Sequence, residues 1–167
     1  MVSLAARARA VAAAVPDPEL PMLTLDDLGI LRDVSTDGVR IVVSLTPTYT
    51  GCPALREMSA DVSRQLAAAG FADVEVRTVL SPAWSSDWIT AAGRRKLAAA
   101  GIAPPGRARQ RAAGPVPLTL TVGRVGVTCP SCGSPDTGLT AAFSATACKD
   151  LYRCRACSEP FEHIKEI

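Results

Sequence analysis

Aromatic residues make up only 4% of this 167-residue chain, and histidine occurs once, as His163. With one imidazole there is no second base to activate a cysteine elsewhere in the chain, which argues against a cysteine hydrolase. Paired Glu-x-x-His motifs for a di-iron site are absent, as are the glycine-rich fingerprints of nucleotide and flavin sites. No apolar run approaches the length a membrane-spanning helix needs. Eighteen basic residues against sixteen acidic ones leave a net charge of +2, too little for a global field that gathers nucleic acid or membrane. Near the N-terminus, Arg7 and Arg9 are followed only by Ala10 to Val15 before Pro16, too short for a secretion-signal core. These absences point to a cytoplasmic, reducing setting, where paired thiols more often hold metal than each other.

Against that sparse background the six cysteines stand out. Cys129 and Cys132 form one CxxC pair, Cys154 and Cys157 a second, and each short turn aims two sulfurs at one point. Four thiolates suit zinc in a closed structural site, and the same set suits iron or an iron–sulfur cluster. Gly133 follows the first pair, where the backbone often needs a left-handed residue; Ser158 stands at the matching place in the second and adds a little strain. Cys148, six residues before Cys154, is a possible additional metal or cluster ligand, or packs as a small side chain. His163 could substitute as a ligand, but reads first as a partly exposed side chain on a terminal strand.

Local pattern divides the chain. Leu4, Ala8, Val11 and Val15 recur at helical spacing up to Pro16 and Pro18. Thr24 and Asp27 read as a capping box for a short turn closed by Gly29. Branched residues over Ile30–Val34 and Val39–Leu45, with Asp37-Gly38 between them, predict a β-hairpin. Leu55, Met58, Val62, Leu66 and Ala69 mark one face of a helix ending at Gly70, and Asp73–Leu80 returns as a strand. Ser85 or Ser86 caps an expected helix from Asp87 to Ala100. Four prolines, two glycines and Arg107, Arg109 and Arg111 make 103–117 a linker by composition. Strands are then expected at Leu118–Val122, near Ala141–Ala145, and at Phe161–Ile164. The predicted fold class is α+β: residues 1–102 as a small mixed sheet with packed helices, then 118–167 as a β-rich four-cysteine module stapled by metal.

In the first part, Thr46 to Pro53 follows a strand and opens a helix. Pro53 fits the first helical position and makes Cys52 a cap, where the helix dipole favours its thiolate. That placement suits metal, cluster or nucleophilic chemistry, and equally a small residue buried at a tight turn. Asp17 and Glu19 flank Pro18 on a stiff segment and could bind metal or orient Cys52. Trp84 and Trp88, the only tryptophans, crowd one turn and are candidate partner anchors as well as core fillers.

The runs Val15–Pro21 and Asp27–Val34, followed by Gly51-Cys52-Pro53, resemble the MIP18 (DUF59) family of iron–sulfur maturation factors. The run from Ser81 through Trp84, Trp88 and Gly93–Leu97 to Gly101–Pro105 narrows the likeness, as do Ala147-Cys148-Lys149, Leu151–Cys154 and Pro160-Phe161. Together they resemble the PaaD (PaaJ) family associated with phenylacetyl-CoA ring epoxidase. The resemblance implies a MIP18/DUF59-like α+β domain followed by a zinc-ribbon-like module. It also implies an accessory role in aerobic phenylacetate degradation beside the other epoxidase subunits, including the iron–sulfur reductase, with catalysis assigned to those subunits. It carries Cys52, Asp17 and Glu19 onto the family's cluster-handling positions and makes Cys148 a position of interest. Zn2+ is the implied resident metal, with an iron–sulfur cluster as the other candidate. A purely structural zinc subunit, or a general cluster-assembly factor with other clients, are the competing readings. Self-association is compatible with all of them.

Overall fold

The computed structural model describes residues 3–108 and 126–167, which form two compact units, one running through Lys96 and the other from Leu97 to Ile167. The expected strand at Leu118–Val122, with Arg109 and Arg111, lies outside the described residues.

The first unit opens with helix α1, Leu4–Ala13, capped by Ser3, whose hydroxyl accepts the Ala6 N–H at 3.1 Å. Ala8 and Ala12 are wholly buried, and side chains that small let α1 lie close against the sheet. Strands β1, Leu31–Asp37, and β2, Arg40–Leu45, form the expected antiparallel hairpin, though the turn sits one residue later, on Gly38-Val39. Helix α2, Leu55–Ala68, buries Met58, Val62 and Leu66 and carries the chain across to β3, Val74–Thr78, parallel to β2. A parallel neighbour needs such a crossover, and α2 supplies it. Being central, β2 is covered widely and reads as the apolar run Ile41, Val42, Val43 and Leu45, all buried. In β1, Leu31 faces Leu45 and Asp33 faces Ser44, so Arg32 is the extra residue of a β-bulge.

Asp27 ties the remaining segments down. The capping box is reciprocal: its N–H donates to Thr24 Oγ1 and its carboxylate accepts the Thr24 N–H, both at 3.1 Å. The same carboxylate accepts from Lys96 Nζ at 2.5 Å and Thr90 Oγ1 at 3.3 Å, while the Asp27 carbonyl accepts the Thr90 N–H at 2.9 Å. This anchoring changes the helix expected over Asp87–Ala100. Ser86–Trp88 forms a single 3-10 turn, Ile89 is extended and buried, and Thr90 restarts the chain by accepting the Gly93 N–H. Helix α3 therefore covers only Ala91–Ala99. Burying Ile89 and pinning Thr90 outweigh the local helical preference.

The second unit holds an antiparallel meander of β4, Thr137–Ala141, β5, Lys149–Cys154, and β6, Pro160–Ile164. The strand expected near Ala141–Ala145 is found earlier, because Leu139 pairs with Tyr152, while Phe143 is left largely exposed. Strand β5 was not expected from pattern; charged Lys149, Asp150 and Arg153 interrupt its apolar residues. Its small core joins Ala103, Cys129, Cys154 and Phe161, with Val127 and Tyr152 packed against it. Ala103 is part of this sheet's edge: its N–H donates to the Glu162 carbonyl and its carbonyl accepts the Ile164 N–H. No helix among the described residues is long and apolar enough to cross a membrane.

Candidate metal centre

Two tight turns bring the four paired cysteines together. The Gly133 N–H donates to the Cys129 carbonyl at 2.9 Å and the Cys154 N–H to the Glu159 carbonyl at 2.9 Å, closing the two knuckles. Both knuckles turn through the left-handed region, Gly133 at φ +73° and Ser158 at φ +65°. Ser158 is the one non-glycine residue of positive φ among the described residues, so the strain expected there is present.

The ligand sulfurs of Cys129, Cys132, Cys154 and Cys157 all lie within 4.8 Å of one another. Cys129 Sγ is 3.8 Å from Cys157 Sγ, and Cys132 Sγ is 3.6 Å from Cys154 Sγ. Sulfurs at about 2.3 Å from a tetrahedral ion are separated by about 3.8 Å, so the donor set fits one thiophilic ion. A multi-iron cluster would spread its cysteine sulfurs wider, because iron atoms and sulfides lie between them.

Backbone N–H groups tune the thiols. The N–H groups of Cys157 and Ala156 point at Cys154 and, against burial, lower its pKa to about 7. For Cys129, burial raises the pKa, but the N–H groups of Cys132 and Ser131 outweigh it and bring a net lowering. At Cys157 the Glu159 N–H favours the thiolate, yet the sulfurs of Cys132, Cys154 and Cys129, together with burial, push it up to about 12. Cys132 also rises: the Ser134 N–H and Cys157 favour its thiolate, but Cys154, burial and Cys129 prevail. Without a cation the four sulfurs cannot all carry charge, and a cation at their centre relieves that conflict.

Two other cysteine-module residues are placed outside this set. Cys148 is half-buried and is not among the four converging sulfurs; its Sγ lies 3.1 Å from Thr146 Oγ1. His163 is buried rather than partly exposed. Its Nδ1 lies 2.8 Å from Asp150 Oδ1 and its Nε2 3.4 Å from Glu166 Oε1, and Glu166 also accepts the Gly106 N–H at 3.0 Å. The ring is thus a bracket between strand and tail.

In the first unit, Cys52 is half-buried on the turn ahead of α2. The helix starts later than expected, at Leu55 with Ala54 as its N-cap, so Cys52 is not the cap. Its carbonyl accepts the Leu55 N–H at 3.3 Å, and Pro53 and Ala54 fill the turn between. Asp17 is buried on the segment after α1, where Oδ1 accepts the N–H groups of Glu19 at 2.9 Å and Leu20 at 2.8 Å. That is an Asx-type turn, which fixes the path around Pro18 and leaves Glu19 exposed.

The two tryptophans divide. Trp84 is buried and its indole N–H donates to the Leu28 carbonyl at 2.9 Å, which is core filling. Trp88 is half-exposed, with the Arg32 guanidinium 3.5 Å above its ring. Sequence pattern gives no sign of Arg32, because its position depends on the bulge and on a ring more than fifty residues away in sequence, on the order of the separation that no local period encodes.

Residues 6–78 match the family described as "Iron-sulfur cluster assembly protein", and residues 113–165 match the "PaaD zinc beta ribbon domain". Over 153 residues the chain is 41% identical to the "Putative 1,2-phenylacetyl-CoA epoxidase" D-subunit of Escherichia coli (strain K12), spanning 92% of this chain and 87% of that one. Among solved structures, a DUF59 domain from Bacillus anthracis is 29% identical with a TM-score of 0.52, covering 56% of this chain and 90% of that chain.

Proposed function

The chain belongs to the PaaD family of phenylacetyl-CoA epoxidase subunits, and on that footing we propose that it is an accessory subunit of a phenylacetyl-CoA epoxidase system that helps mature the system's iron–sulfur centre. The observation that carries this reading is the joining, in one chain, of a segment matching iron–sulfur cluster assembly proteins to a PaaD zinc ribbon. The client is the iron–sulfur reductase of the system, and the cluster is cargo. Cys52 supplies the thiolate that handles it, with Asp17 and Glu19 as the acidic positions of the same task, and Cys148 is the additional cluster ligand of the ribbon. Zinc is the resident ion, held by Cys129, Cys132, Cys154 and Cys157. Four protein thiolates complete its coordination, so it organises the ribbon and leaves no position for substrate.

The test is to produce the epoxidase components with and without this chain, and measure iron, sulfide and visible absorption of the purified reductase. Omission should lower cluster content several-fold, and Cys52→Ala should reproduce most of that loss while the zinc of the variant is retained. Full cluster loading without the chain, together with its co-purification at fixed stoichiometry, would instead make it a structural subunit. Full loading with Cys52→Ala alone would remove the role given to that thiol.

A further inference from the structure

We propose that the Arg32–Trp88 stack is the docking point through which the chain grips an acidic face of a partner protein, a proposal that rests on the accessory reading above. Three separate local features converge on this stack. The β-bulge in β1 takes Arg32 out of the pleat. Gly29, at φ +67°, lets the backbone pass so close that an added Cβ would sit 2.6 Å from the Trp88 Cβ, which no side chain tolerates. Arg94 Nη2 donates to the Ser86 carbonyl at 2.9 Å and fixes the turn that presents the ring.

The result is a surface of donors. Among the described residues no carboxylate pairs with Arg32, and no acceptor takes the Trp88 indole N–H. With its central carbon 3.5 Å from the ring centroid, the Arg32 guanidinium is held against the indole while its N–H donors stay open to a carboxylate, which meets an arginine fork with two parallel bonds. The ring below shields one face of the cation from water and strengthens what the other groups bind. Arginine and tryptophan are also the residue types that dominate binding energy at protein interfaces. A nucleic acid is the poorer fit, since a phosphate backbone calls for a row of cations and the chain's net charge is only +2. Trp84 takes no part, being buried and already bonded to Leu28.

The experiment is co-purification of the full chain with co-produced phenylacetyl-CoA epoxidase components, comparing wild type, Arg32→Glu, Arg32→Lys and Trp88→Ala. Arg32 is exposed, and alanine at 88 keeps the Cβ that packs on Gly29, so melting midpoints and zinc content should match wild type. Recovered partner should fall by about tenfold or more for Arg32→Glu and Trp88→Ala, and by less for Arg32→Lys, which keeps the charge and loses the fork. If Trp88→Ala melts early, the two Arg32 variants carry the comparison alone. Wild-type association that Arg32→Glu leaves unchanged overturns the docking site and spares the accessory role. A wild-type chain that retains no epoxidase component overturns both.

Discussion

Ser158 occupies backbone space that a side chain enters only at a cost, in a knuckle whose counterpart has glycine. Changing Ser158→Gly should therefore stabilise the metal-loaded chain by about 1 kcal/mol, read as a higher midpoint in denaturant at unchanged slope. Asp27 is the opposite case, a residue with more partners than its neighbours. Burial raises its pKa, but the Lys96 ammonium and the Thr24 N–H outweigh that and hold its carboxylate below the ordinary 3.8. A depressed folded pKa means the stabilisation is fully present above 3.8 and is lost as pH falls through the lower, folded value. Asp27→Asn should cost about 1–2 kcal/mol at neutral pH, and the gap to wild type should close in acid, as urea titrations at both pH values would show.

Helices and strands were legible where a residue's own neighbours decide its state. Met58, Val62 and Leu66 mark α2 by spacing alone, and the branched runs around Gly38 mark the hairpin. They were not legible where distant contacts decide. Ile89 breaks the expected helix because it is buried, and Thr90 because Asp27 holds it. Strand β5 exists through its pairing with β4 and β6 on either side, and its mixed charges hide it from any period-two reading. The convergence of the four paired sulfurs was legible because each CxxC turn is a local device, whereas the position of Cys148 outside them depends on where a tertiary fold sets its sulfur. The cysteine knuckles also carry a pH signature. Cys132 and Cys157, whose thiols lie above their ordinary range, are protonated at neutral pH without a cation. Zinc must displace those protons, so its affinity should rise with pH and fall in acid. Cys154, at about 7, is itself only part ionised at neutral pH, so calorimetry in buffers of different ionisation enthalpy should report release of at least two protons per zinc near pH 7. Cys154→Ser should abolish stoichiometric zinc.

Taken whole, the molecule pairs an assembly-type α+β unit with a ribbon whose interior is scant. In the ribbon, Ala103 lies beside Cys129 and Cys154 in one apolar cluster, so the stretch entering this unit shares a core with the residues that would grip the ion. The bond from the Gly106 N–H to Glu166 spans 60 positions of sequence, and the Ala103 ladder to β6 closes a similar loop. On a ribosome, then, Ala103 waits without its ladder until β6 has left the exit tunnel. A nascent chain cut short before β6 leaves Ala103 with no strand to join.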